Sequence, residues 1–229
     1  MDFAFIKEAL PQVLAAIPVT FEMALVATVL GWIFGLLIAL ARRNRIPVLS
    51  QICAVYVSFI RGVPMVILLY VAYYALPIML YSAFDIDTTG IPAILYAMVA
   101  LAMDQAAYSS EIFRSSLDAV NKGQLEAAWS VGMTTPQAML RIIFPQAMAV
   151  AIPNLSGLFV GLVKGTSLAY YVGVYEITAT ANLLANPALN FIEAYVMTTI
   201  IYEVISFICN KLFQVIETRL GRFRPKAAA

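Results

Sequence analysis

The chain has 229 residues, 62% of them hydrophobic and only 12% charged, against about 25% charged in an ordinary soluble domain, so lipid is the expected solvent. Its 14 lysines and arginines nearly balance 13 acids, which leaves no basic excess for a nucleic-acid partner. Histidine is absent, which removes the commonest metal ligand, the usual general base and the usual pH switch.

The first stretch, MDFAFIKEALPQ, lacks the basic start of a secretory signal, and the apolar run after it ends in arginines. It therefore reads as leading into a retained first span. Runs of about 20 mainly apolar residues predict transmembrane helices over 19–41, 63–83, 92–113, 146–168 and 191–213. A shorter apolar stretch at 52–60 predicts an interfacial helix leading into the second span. Cys53 and Cys209 fall in apolar surroundings and are expected as buried thiols without a disulfide or a metal.

Charge between the runs predicts orientation. Arg42, Arg43 and Arg45 follow the first run, and Arg114, Lys122 and Arg141 lie between the third and fourth. Lys211, Arg219, Arg222, Arg224 and Lys226 close the chain. The loops 84–91 and 170–190 contain only the acids Asp85, Asp87 and Glu176. The expected fold is thus an all-α integral membrane protein, one domain over 1–229. It has five transmembrane helices, an outside N-terminus and a cytoplasmic C-terminus.

The largest expected cytoplasmic loop, 114–145, contains GQLEAAWSVGMTTPQAMLRIIFP. Residues 117–131 suit a helix that Gly132 ends in a left-handed conformation. Thr134 and Gln137 fit a capping box for a second helix reaching about Ile143, with Pro145 interrupting the pattern before the fourth span. Leu140, Ile143 and Phe144 supply an apolar face to hold the loop. A DNA-binding helix-turn-helix is a poor alternative, because both ends are tethered by spans and no basic stripe faces a phosphate backbone.

Glu126-Ala127-Ala128, three residues, Gly132, nine residues, Ile142, one residue, Phe144-Pro145 resembles the EAA loop of ABC-importer permeases. Phe144 replaces that pattern's leucine. FIRGVP, AAYSSEIFR, LDAVNKGQ and KGTSLA extend the similarity to the polar amino acid permeases. The resemblance implies a type I importer half in the bacterial cytoplasmic (inner) membrane. Its expected partners are a second permease subunit, an ABC ATPase dimer and an extracellular or periplasmic solute-binding protein. The solute would be an amino acid, polar or a zwitterion such as cystine. Glu126, Ala127, Ala128, Gly132, Ile142, Phe144 and Pro145 would couple to the ATPase. ATP and Mg would sit on that partner, with no cofactor on this chain; GLVKGTS has the wrong spacing for a phosphate loop.

Charges at bilayer depth cost about 2.5–3.5 kcal/mol on insertion scales and need a partner or a role. Asp104, Glu111, Lys164 and Glu203 lie in or near the predicted spans. Asp104 and Lys164, with Thr166 and Ser167, are the candidate solute site; a structural ion pair is the competing reading. Related permeases often carry Lys-Asp-Thr-Ser where this chain has Lys164-Gly165-Thr166-Ser167, so one carboxylate is lost there and Asp104 stands as a gain. Arg61 is a candidate gate at the entry to the second span, or a positive-inside anchor. Gly31-x-x-x-Gly35 and Gly157-x-x-x-Gly161 predict close helix approach, within one subunit or between two. A secondary transporter or channel using Asp104 and Lys164 as an ion relay, and a non-transporting membrane scaffold, remain the alternatives.

Overall fold

Asp2 starts the first helix. Its carboxylate accepts the backbone N–H groups of Ala4 at 3.0 Å and Phe5 at 3.1 Å, which satisfies two donors that a helix start otherwise leaves unpaired. The computed structural model describes residues 1–221, so Arg222, Arg224 and Lys226 lie outside the described residues. Helices α1 (Phe3–Ala15) and α2 (Ile17–Arg43) meet at Ala16. They are followed by α3 (Leu49–Gly62), α4 (Met65–Phe84) and α5 (Ala93–Asp118). Helix α6 (Gly123–Ser130), α7 (Thr135–Val172), α8 (Ile177–Ala185) and α9 (Phe191–Leu220) complete the described chain, which contains no strand.

Among the described residues, four segments are apolar enough by length and composition to cross a membrane: the α1–α2 pair, α4, α7 and α9. Helix α5, expected as a fifth, has the length, about 39 Å at 1.5 Å per residue, but Asp104, Gln105, Ser109, Ser110 and Glu111 dilute its apolar character. Those polar residues have a structural reason. Helix α5 buries 14 of its 26 residues and packs against α2, α3, α4 and α7. Lipid contact is therefore not what most of its surface must satisfy.

The α2–α5 seam is the tightest packing. A Cβ at Gly31 would overlap Gln105 Cβ, and one at Gly35 would overlap Ser109 Oγ while lying 3.0 Å from Ala106 O. Ser109 Oγ donates to Gly31 O at 3.1 Å across the same seam. The first glycine pair is thus a close-approach motif, as expected. The second is not one within this chain: a Cβ at Gly157 or Gly161 meets nothing within 4 Å.

Two long helices contain a wide π turn, Val71–Ala75 in α4 and Met139–Ile143 in α7. Each ends one residue before a proline-bearing step, Leu76-Pro77 and Phe144-Pro145. Proline has no N–H and crowds the carbonyl four residues back, and an i→i+5 turn absorbs both problems. Pro145 therefore does not interrupt the helix as the sequence suggested, and α7 runs unbroken for 38 residues. The expected helix over 117–131 is instead split. Helix α5 stops at Asp118, and Asn121 Oδ1 accepts the Gly123 N–H at 2.8 Å to turn the chain into α6.

The segment 170–190, expected as a plain outer loop, holds α8 packed on α1 and α9. Glu176 caps α8 and is 0% exposed. Its oxygens accept from Ala179 N–H at 2.8 Å and from the Tyr202 hydroxyl at 2.5 Å. This buried pair fastens α8 to α9.

Candidate functional site

Two regions carry the predicted chemistry. The first is the loop joining α5 to the apolar part of α7. Gly132 ends α6 with φ at +80°, the left-handed conformation that glycine alone adopts without strain. Thr134 and Gln137 form the reciprocal capping box. Trp129 Nε1 donates to Thr135 Oγ1 at 3.2 Å, bracing the two short helices across the turn. Ile143, Leu117, Val120 and Ala147 form the apolar plug beneath, with Ile142 packed against it. Ala128 is buried, Glu126 and Ala127 are exposed, and Phe144 and Pro145 are half-buried. Leu140, expected on the apolar face, is 72% exposed, because the π turn shifts the helical register there and turns it outward.

A groove of about 280 Å³ lies beside Glu126 and is lined by Arg43, Lys122, Leu125 and Trp129. Behind it, at the ends of α2 and α5, Glu111 bridges Arg42 and Arg114, and Asp118 pairs Arg114 at 3.4 Å and Arg43 at 4.0 Å. Glu111 is thus a partnered charge in a network that ties α2 to α5.

The second region is a cleft of about 540 Å³ between α3, α4, α5 and α7. Helix α3 cannot continue through Val63-Pro64, since a residue before proline is pushed out of the helical region; Val63 is extended, with ψ at 132°. The break leaves Arg61 against the middle of α5 rather than at a helix mouth. Its guanidinium stands 5.2 Å over the ring of Tyr108, and it shares the cleft with Asp104 one turn away on α5. Gly157, Gly161 and Gly165 form the opposite wall. Gln105 also lines it, is 1% exposed and has an Oε1 without a partner. Opposite charges, an aromatic face and a free amide oxygen surround a space bounded by small residues.

Lys164 is not brought to Asp104. It donates to Glu203 at 3.4 Å and lines a separate pocket of about 320 Å³ with Ser167, Thr178, Thr199 and Tyr202. Thr166 is buried and its hydroxyl donates to Val163 O at 2.7 Å, while Ser167 Oγ donates to Lys164 O at 2.8 Å. Tyr108 and Gln105 were missed as site residues. The spacing of Tyr108, four residues from Asp104 on one helical face, is the signal that pairs it with the acid.

The family of binding-protein-dependent transport system inner membrane components matches residues 27–222. The chain belongs to that family. Its relatives include the probable amino-acid permease protein YxeN of Bacillus subtilis (strain 168), 40% identical and covered over 97% of both chains. The probable amino-acid ABC transporter permease protein PatM of Vibrio harveyi is 37% identical over 96% of this chain and 97% of its own length. The L-cystine transport system permease protein TcyL of Bacillus subtilis (strain 168) is 33% identical over 96% of this chain and 92% of its own. Among solved structures, an amino acid ABC transporter crystallised with histidines superposes with a TM-score of 0.83 at 29% identity, over 96% of this chain and 99% of that one. The MetNI methionine transporter, at 16% identity and a TM-score of 0.71, shares the fold. As a member of that family with helices apolar enough to cross a membrane, this chain is a membrane protein of a transport system.

Proposed function

We propose that this chain is the permease half of an ATP-driven importer that moves an amino acid into the cytoplasm. The observation that carries the reading is the cleft in which Arg61 and Asp104 present opposite charges at the middle of α5. A zwitterion carries its carboxylate and ammonium at fixed separation, and two fixed opposite charges complement it. Arg61 offers a planar fork to the carboxylate, and Asp104 accepts the ammonium. Tyr108 holds the guanidinium in place through its ring. The amino-acid permeases among its relatives support the solute class.

In this reading α5 is the fifth span, the N-terminus is outside, and the 114–145 loop is cytoplasmic. Glu126, Ala127, Ala128 and Gly132 on α6 and its turn meet a partner ATPase dimer, which holds the ATP and Mg. Ile142, Phe144 and Pro145 transmit its closure into α7, and a solute-binding protein delivers the amino acid from outside. The Lys164, Thr166 and Ser167 segment lines the route rather than the head-group site.

The test is uptake by proteoliposomes containing this chain, its ATPase and its binding protein. Asp104→Asn and Arg61→Gln each remove one charge-assisted contact of about 1.5–3 kcal/mol, so KM rises about 10- to 150-fold. Unchanged uptake in Asp104→Asn refutes the assignment.

A further inference from the structure

The seam between α2 and α5 leaves a space beside it that the chain does not fill. Gly31 and Gly35 bring α2 so close to α5 that a Cβ there would lie 3.1 Å from Ala102 O and 3.0 Å from Ala106 O. Small residues at 102 and 106 suit this approach, and they fill nothing in front of themselves. Helix α3 is held off on the other side by Tyr56, whose hydroxyl donates to Met103 O at 2.7 Å. A groove of about 440 Å³ results, lined by residues of α2, α3 and α5 that include both alanines.

Its chemistry selects hydrocarbon. Leu30, Phe34 and Ile38 line it from α2, Ile52 from α3, and Val99 and Met103 from α5. Tyr56 is the one lining side chain with an oxygen, and that oxygen is already bonded. An apolar ligand therefore leaves no polar side chain unpaired. Leu30, Phe34, Ile52 and Met103 are themselves exposed, and on α2 they continue the exposed apolar line of Leu25, Val29, Ile33 and Leu37. Length points the same way. Leu30 to Ile38 covers about 12 Å of helix and ends about 8 Å short of Arg43, whereas one leaflet of hydrocarbon is about 15 Å deep. The span suits one acyl chain of one leaflet.

The basic end of α2 supplies a second observation. Arg42 and Arg43 are taken by Glu111 and Asp118. Arg45, in the short turn from α2 to α3, is exposed and has no acidic partner among the described residues. Ile46 N–H donates to Ala41 O at 3.2 Å and Ser50 N–H to Ile46 O at 2.9 Å, which fixes the turn at the Ile38 end of the groove. Hydrocarbon gains no hydrophobic free energy by leaving lipid for an apolar groove, so the head group must supply the preference. A free guanidinium supplies it for a phosphate that carries no cation of its own.

We infer that this groove is a site for one anionic phospholipid, with its acyl chain between α2 and α3 and its head group on Arg45. The lipid braces α3, which carries Arg61 into the cleft at its far end. The inference rests on the permease reading only for the leaflet, which the proposed orientation makes the cytoplasmic one.

The test places the full-length chain in phosphatidylcholine vesicles with a trace of lipid whose acyl chain carries a photoactivatable diazirine. The probe is phosphatidylglycerol in one set and phosphatidylcholine in the other, and labelled residues are mapped by peptide mass spectrometry. Label at Ile52 and Met103 reports the groove, and label at Ile33 reports bulk lipid. The ratio of groove to bulk label is expected to be about fivefold higher for phosphatidylglycerol, the effect of about 1 kcal/mol for one basic residue near the surface. Arg45→Gln brings that ratio down to the phosphatidylcholine value. Val99→Trp, which fills the groove from its exposed rim, lowers groove label and spares Ile33. Equal ratios for the two probes, an unchanged ratio in Arg45→Gln, or a groove that neither probe labels overturns the inference. If Val99→Trp fails to reach the membrane, Arg45→Gln on its exposed turn decides alone. Labelling needs neither ATPase nor solute, so failed uptake by a chain that still selects phosphatidylglycerol would count against the permease reading alone.

Discussion

Gly35→Ala is expected to loosen the protein at its central seam. The added Cβ overlaps Ser109 Oγ, with Ala106 O at 3.0 Å and Ser110 N at 3.1 Å on either side. The backbone atoms cannot yield without moving α5, so Ser109 must rotate and give up its bond to Gly31 O. Overpacking a close-fitted core costs about 1–3 kcal/mol, and an interhelical hydrogen bond in a membrane averages about 0.6 kcal/mol. The expected destabilisation is therefore about 1.6–3.6 kcal/mol. Unfolding in mixed micelles under increasing denaturing detergent reads it directly. Ser109→Ala in the Gly35→Ala background recovers part of the loss, because it removes the overlapping atom. Gly157→Ala, whose Cβ meets only open space, stays within about 0.5 kcal/mol of the parent. Equal destabilisation at Gly35 and Gly157, or no recovery in the double variant, refutes the distinction between a packed and an open glycine pair.

Glu126→Arg leaves unfolding unchanged, since Glu126 is exposed, but abolishes co-purification of the ATPase; a retained ATPase removes Glu126 from the coupling surface. Tyr202→Phe takes the hydroxyl from the buried Glu176 carboxylate and destabilises by about 1–3 kcal/mol, the cost of an unsatisfied buried group. Protection of α8 amides against hydrogen exchange falls first in that variant. Glu111→Gln leaves Arg42 and Arg114 facing a neutral amide and costs about 1–3 kcal/mol in the same unfolding assay, below the about 3–5 kcal/mol of a fully buried pair because these groups are part-exposed.

Local chemistry was the most legible part of this chain. Thr134, Gln137 and Gly132 act within a few residues of one another, so their capping box and left-handed turn follow from sequence order alone. The start of α6 was missed because it depends on the single Asn121 side chain closing on Gly123. Pro145 misled in the other direction: a proline that breaks an α-turn fits a π turn, and nothing in the residue itself announces which will form. The site residues were legible by type and not by placement. Asp104 and Lys164 both stood out as charges in apolar runs, but their separation depends on which faces α5 and α7 turn toward each other. Arg61 reads from sequence as a gate at the entry to the second span or as an anchor, because arginines accumulate at cytoplasmic ends; the Val63-Pro64 break that sets it beside Asp104 and Tyr108 becomes meaningful only once α3 is packed on α5. Helix α5 shows what hydropathy leaves out, since a helix packed against α2, α3, α4 and α7 has less of its surface to be satisfied by lipid.

Uptake of radiolabelled amino acid into proteoliposomes holding the chain with its ATPase and binding protein tests the central claim most directly. The ATP supply and the ion gradients are removed in turn. An ATP-driven permease loses uptake when internal ATP is depleted and keeps it when ionophores collapse the gradients. Uptake that survives ATP depletion and stops with the gradients would contradict the account and assign Asp104 to an ion relay.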